Sequence, residues 1–130
     1  MIERLEKLGF KKAGYWHELN GKLCYKVECE ESHRSKNGLY CIVVDREPKY
    51  FGVAKSTLQY RMKIYANGQY GRQIGVNYRN ILKAANAEKE PQIYFMSNSD
   101  FLYKEEYPID MAAGLISGLV DTFNPEWITN

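Results

Sequence analysis

No apolar run in this chain of 130 residues comes near the ~20 needed to cross a bilayer, so no membrane-spanning helix is expected. The opening stretch from Met1 to Lys7 alternates charge with hydrocarbon and has no secretory apolar core, which sets the expectation of an intracellular, cytoplasmic protein. Cysteine is scarce. Cys24, Cys29 and Cys41 are odd in number and show no paired spacing, which argues against a disulfide framework and for reduced thiols. Histidine is scarcer still: His17 and His33 could join Cys24 and Cys29 at a metal, but small buried or half-buried side chains are the expected role of the thiols. Repeats, linkers and low-complexity segments are missing, so one domain over residues 1–130 is expected.

Acid is missing where it would matter most. Residues 1–90 hold 17 Lys and Arg against 10 Asp and Glu, whereas residues 91–130 hold one against six. Between Lys49 and Lys83 stand Lys49, Lys55, Arg61, Lys63, Arg72, Arg79 and Lys83 with no acid, interleaved with Tyr50, Tyr60, Tyr65, Tyr70 and Tyr78. Cations that neutralise phosphates and phenols that stack or donate suit a polyanion. The plainer reading is a solvated basic helix face with tyrosines packed beneath.

The hydrophobic pattern predicts an α+β chain. Ile2, Leu5 and Leu8 recur at helical spacing and Gly9 stops them. Two alternating runs, 13–19 and 22–28, flank Asn20-Gly21, the short signal for a hairpin whose turn needs positive φ. Residues 30–38 are polar and read as a loop. The run from Leu39 to Val44 reads as a strand, Asp45-Arg46-Glu47-Pro48 as a turn, and Lys49-Tyr50-Phe51 as the returning strand. Ser56 or Thr57 can cap a helix carrying Leu58, Met62 and Tyr65 inward. Gly68, Gly71 and Gly75 suggest a loop, and Asn77 a cap for a helix through Ala85. Gln92 to Met96 reads as a third strand, and a last helix opens at Asp110 or Met111 and runs to Val120 or Asp121. Phe123-Asn124-Pro125-Glu126-Trp127 closes the chain, with Trp127 expected to anchor the end on the core.

Gly38-Leu39-Tyr40 and Tyr50-Phe51-Gly52 on consecutive strands, followed by Arg61 on the next helix, resemble the motifs of the GIY-YIG nucleases. Leu8-Gly9-Phe10, Trp16, Asn20-Gly21 and the terminal Pro125-Glu126-Trp127 extend the resemblance over nearly the whole chain. It implies a small antiparallel sheet flanked by helices (residues 37–130), preceded by a helix and extra hairpin (1–36). It also implies phosphodiester hydrolysis with one divalent metal, Mg²⁺ or Mn²⁺, held by a glutamate on the last helix. By that resemblance Tyr40 is the candidate base, Tyr50 positions water or phosphate, Gly52 permits close backbone approach, and Arg61 contacts phosphate. Lys49, Lys55, Lys63, Arg72, Arg79 and Lys83 are the further candidates for DNA contact.

Two positions depart from the pattern. After Ala112-Ala113-Gly114-Leu115 the glutamate position holds Ile116, whose side chain offers no oxygen to a hard cation. Val53 stands where lysine is common, and Lys55 is the nearest replacement. Three readings follow. The leading one is a DNA-binding pseudo-nuclease without a metal of its own. The second is an active endonuclease with a substitute ligand from Glu105, Glu106, Glu126 or a second subunit of a homo-oligomer. The third is a protein-binding module contacting partners through the acidic segment from Asp100 to Glu126, Phe101 or Trp127. A phage or bacterial origin suits the resemblance.

Overall fold

A computed structural model of the protein describes residues 2–33, 35–67, 71–97, 102–103, 107–108 and 110–128. Gly68, Tyr70, Asp100, Phe101, Glu105, Glu106 and Asn130, and the side chain of His33, lie outside the described residues. In chain order the elements are α1 (Ile2–Leu8), β1 (Lys11–Leu19), β2 (Lys22–Val27), a 3₁₀ turn (Glu30–His33), β3 (Gly38–Val44), β4 (Glu47–Ala54) and α2 (Leu58–Asn67). There follow α3 (Arg72–Asn86), β5 (Gln92–Met96), a short pair β6 (Leu102–Tyr103) and β7 (Tyr107–Pro108), and α4 (Met111–Phe123). The main sheet has five strands in the order β2-β1-β5-β3-β4, and every neighbouring pair is antiparallel. The opening hairpin therefore joins the same sheet, through β1 against β5.

Both long hairpins turn on residues with positive φ. Asn20 (φ 52°) and Gly21 (φ 80°) join β1 to β2, and the Glu18 carboxylate accepts the Gly21 N–H at 2.5 Å. Asp45 (φ 54°) and Arg46 (φ 65°) join β3 to β4. This second turn is tighter than the four residues expected, because Glu47 and Pro48 already pair with Val44 and Val43. Proline is tolerated there because β4 is an edge strand. The register slips between Ile42 and Val43, which leaves Lys49 bulged between two paired residues.

Strand alternation sends side chains to two cores. Leu39, Cys41, Val43, Phe51, Tyr94 and Met96 meet α1 and α4 on one face. Tyr40, Ile42, Ala54, Ile93 and Phe95 meet α2 and α3 on the other. Thr57 caps α2, its hydroxyl accepting the Tyr60 N–H at 3.2 Å. The start of α3 differs from expectation. It opens at Arg72 behind Gly71, so Gly75 is helical and Asn77 lies buried within the helix rather than capping it. Propensity assigned asparagine to a helix end, and buried hydrogen bonding overrides that preference here.

The C-terminal strap joins the two faces. Helix α4 belongs to the first, yet the Trp127 indole packs with the second. The chain passes the β4 edge at the bulge, where the Trp127 N–H donates to the Lys49 carbonyl at 3.0 Å. Glu126 accepts from Lys49 Nζ at 2.8 Å.

Gly52 sits opposite Tyr40 in the ladder, and a Cβ added there would lie 2.6 Å from Tyr40 Cζ and Oη. Its small size makes room for a buried phenol. Gly52→Ala is expected to destabilise the fold by about 1–3 kcal/mol through overpacking, measured as a lower midpoint in denaturant unfolding.

Candidate functional site

The face carrying α2 and α3 holds a buried chain of polar side chains. Helix α2 sets Arg61 and Tyr65 one turn apart, and β3 and β4 bring Tyr40 and Tyr50 beneath them. Tyr40 Oη lies 3.0 Å from Tyr65 Oη, and the rings of Tyr40 and Tyr50 are 6.0 Å apart. Asn77 Nδ2 donates to Tyr65 Oη at 2.9 Å. Gln73 Nε2 donates to Asn77 Oδ1 at 2.9 Å and to the Trp127 carbonyl at 2.6 Å.

One backbone carbonyl fixes the orientation of the two amides. A carbonyl only accepts, so the Gln73 nitrogen must face Trp127. That nitrogen also meets Asn77, which turns the Asn77 oxygen toward Gln73 and its nitrogen toward Tyr65. Tyr65 Oη accepts from Asn77 and shares a hydrogen bond with Tyr40 Oη in which either hydroxyl can donate. The polar chain thus runs to Tyr40 and its neighbour Tyr50, which is half-buried and lies next to the half-buried Arg61.

Electrostatics keep these phenols protonated. Burial pushes Tyr40 well above the ordinary tyrosine range, reinforced by Tyr65 and Tyr50 and only partly opposed by Arg61. Burial also raises Tyr50, with Arg61 and the bond from Tyr40 acting the other way. Tyr65 is pushed up to about 12 by burial, against the bonds from Tyr40 and Asn77. The arrangement therefore offers neutral O–H donors beside one guanidinium, a set that suits an anionic oxygen.

The same residues do not fit a divalent cation. Tyr40, Tyr50, Tyr65, Asn77 and Arg61 supply neutral phenols, an amide and a positive charge, whereas such a cation requires anionic oxygen. Ile116, with Leu115 and Val53, packs on the α1/α4 core, on the sheet face opposite Tyr40 and Tyr50. Among the described residues no group of three or more His, Cys, Asp or Glu is placed to hold a metal. Glu126 is committed to Lys49, whose hydrogen bond and charge hold its carboxyl below the usual range. Asp110 and Asp121 are exposed on or beside α4.

The basic candidates divide by position. Arg61 joins the phenols. Lys63 is exposed two residues on, about 200° around α2, and so faces elsewhere. Arg72, Arg79 and Lys83, at i, i+7 and i+11, form one exposed stripe on α3, opposite the side that buries Asn77. Lys55 is exposed beyond the end of β4, so strand alternation no longer relates it to Val53. Lys49 occupies the bulge. Tyr65, Asn77 and Gln73 were not singled out from sequence as parts of this site. The available signal was their spacing, Arg61 to Tyr65 and Gln73 to Asn77 each at i, i+4.

Free Cys24 and Cys29 are half-buried and Cys41 is buried, and burial raises the Cys41 thiol far above its ordinary value. Among the described residues no helix is long and apolar enough to cross a membrane.

An antiparallel sheet with helices on both faces, edged by the paired tyrosine strands, defines a GIY-YIG nuclease-like fold. The chain is similar to a glutamate-to-alanine mutant of bacteriophage T4 endonuclease II, with a TM-score of 0.75 at 18% identity over 99% of this chain and 98% of that one. It is also similar to the restriction endonuclease Hpy188I in complex with product DNA, with a TM-score of 0.58 at 16% identity over 95% of this chain and 80% of that one. At such identities the likeness establishes the fold alone. No family model matches the sequence, and no curated protein matches it.

The raised phenols have a measurable consequence. A folded-state pKa above the unfolded value of ~10 stabilises the fold fully below pH ~10, and that stability is lost as pH rises through the folded value. For Tyr65 the folded value is about 12. An ultraviolet phenolate titration is expected to show Tyr40, Tyr50, Tyr65 and the raised Tyr94 ionising after the exposed tyrosines, with alkaline unfolding in the same window.

Proposed function

We propose that this protein binds DNA through its phosphodiester backbone and does not cleave it efficiently, a nuclease fold used for holding rather than cutting. The observation that carries the reading is the hydrogen-bonded cluster of neutral phenols that reaches Tyr50 beside Arg61. Phenol O–H groups and a guanidinium form charge-assisted bonds to phosphate oxygens without any metal. Hydrolysis would ask more of the site. Tyr40 would have to ionise in a buried position that disfavours its phenolate, and the side chains around it do not suit a hard cation. The likeness to a restriction endonuclease solved with product DNA supports nucleic acid as the ligand. The basic stripe Arg72, Arg79 and Lys83, with Lys55 and Lys63, would add sequence-independent attraction.

The test pairs binding with cleavage on one labelled duplex. Wild type is expected to bind with an affinity that falls steeply as salt rises, and to leave plasmid un-nicked in Mg²⁺ or Mn²⁺. Arg61→Ala is expected to weaken binding at least tenfold, about 1.4 kcal/mol. It should also flatten the logarithmic salt slope by about 0.9. Nicking by wild type that disappears in Arg61→Ala would replace this reading with an active endonuclease. Nicking gained only by Ile116→Glu would place a cutting site on the α4 face of the sheet, away from the phenols, and would overturn this reading.

A further inference from the structure

A second site lies at the other end of β4. The β3–β4 turn, the C-terminal half of α3 and the C-terminal strap enclose a cavity of about 250 Å³. Its walls include Asp45, Lys49, Lys83, Lys89, Glu126 and Trp127. Three ammonium groups thus face two carboxylates. The carboxylates are already bonded: Glu126 to Lys49 Nζ at 2.8 Å and Asp45 to Lys89 Nζ at 2.9 Å. Among the described residues Lys83 has no ion-pair partner, so the cavity keeps one uncompensated positive charge on its α3 wall. Asn80 adds an amide on the same wall, and the half-buried Trp127 adds an aromatic residue to the lining.

Cation, amide donor and indole together match a phosphate with a sugar or base beside it. The volume falls below that of a typical small-molecule pocket, which limits the occupant to about one nucleotide. Position ties the cavity to the phenols. Lys49 precedes Tyr50 in the chain, and Trp127, which lines the cavity, ends the bond series to Tyr40 through its carbonyl. We infer that this cavity binds a backbone phosphate of the same nucleic-acid strand that lies across Tyr50 and Arg61, with Lys83 as its cation and Trp127 against the sugar or base. This inference rests on the DNA-binding reading and adds a specific second contact to it.

Tryptophan emission reads the site directly. The chain has two tryptophans; Trp16 is 1% exposed, so Trp127 is the one a ligand reaches. The full chain is titrated with a short end-labelled oligonucleotide while emission and the label's anisotropy are followed together, with inorganic phosphate titrated in parallel. The expected result is a saturable emission change at the concentrations where anisotropy rises. Lys83→Gln should shift both curves about tenfold to weaker binding. Lys22→Gln, an exposed lysine on the opposite sheet edge, should shift them far less. Trp127→Phe should remove the emission change while anisotropy still reports binding. Anisotropy that rises with no change in emission, together with wild-type affinity in Lys83→Gln, overturns the cavity and leaves backbone binding at Arg61 standing. Emission that responds to inorganic phosphate but never to the oligonucleotide overturns the nucleic-acid assignment. Silence in every arm overturns both readings.

Discussion

The Trp127 carbonyl anchors a chain of hydrogen bonds, and much of the α2/α3 face is arranged around that chain. Gln73, Asn77, Tyr65 and Tyr40 come from three elements, and each fills a bonding capacity of the next. A buried polar group left without a partner costs about 1–3 kcal/mol, more than a typical net hydrogen bond contributes. The members therefore stand or fall together, and they lock α3 to α2 and both to β3. Packing reinforces this: the Trp16 ring meets Tyr65 edge-on at 5.7 Å, and Gly52 leaves the space that Tyr40 occupies. Because the carbonyl belongs to the C-terminal strap, the terminus belongs to the same polar unit.

That strap also explains how the edge strand β4 remains ordered. Strand β4 is the sheet edge, and an edge exposes unpaired backbone groups. The Lys49 bulge turns one carbonyl outward, where the Trp127 N–H takes it, and Glu126 engages the same residue's ammonium group. The edge is blunted locally at the cost of one irregular residue. On the far side of the sheet Val53, Leu115 and Ile116 complete an apolar core with α1 and α4. The two faces thus differ in character: one is largely hydrocarbon, and the other carries donors and cations toward its rim.

Much of this was legible in the sequence, for definite reasons. Asn20-Gly21 announced its hairpin because positive φ is cheap for both residues. The β-branched and aromatic run from Leu39 to Val44 marked a strand, and all seven residues of β3 are buried because helices cover both faces. Trp127 was read correctly as an anchor. Asn77 was misread because local propensity cannot see a phenol that approaches from twelve residues back in the chain. The placement of Ile116 across the sheet from Tyr40 was equally invisible. Residue spacing gives a position on a helix, but which sheet face that helix covers depends on chain connections that no short motif encodes. The strand order that puts β5 at the centre is of the same kind.

The argument between holding and cutting turns on the free energy of removing a proton. At pH 7 a phenol whose pKa is about 12, as for Tyr65, costs roughly 7 kcal/mol to ionise. Burial and its two phenol neighbours raise Tyr40 in the same direction. A lone guanidinium at the rim acts on all three phenols, yet burial outweighs it at each one. On the proposed reading, the same burial that disfavours the phenolates favours the phenols as donors. A neutral phenol at Tyr50 keeps its proton above neutral pH, and beside Arg61 that proton is available to a phosphate oxygen. The environment that makes deprotonation expensive is then the one that would make a phosphate cradle, and a single set of contacts would account for both properties.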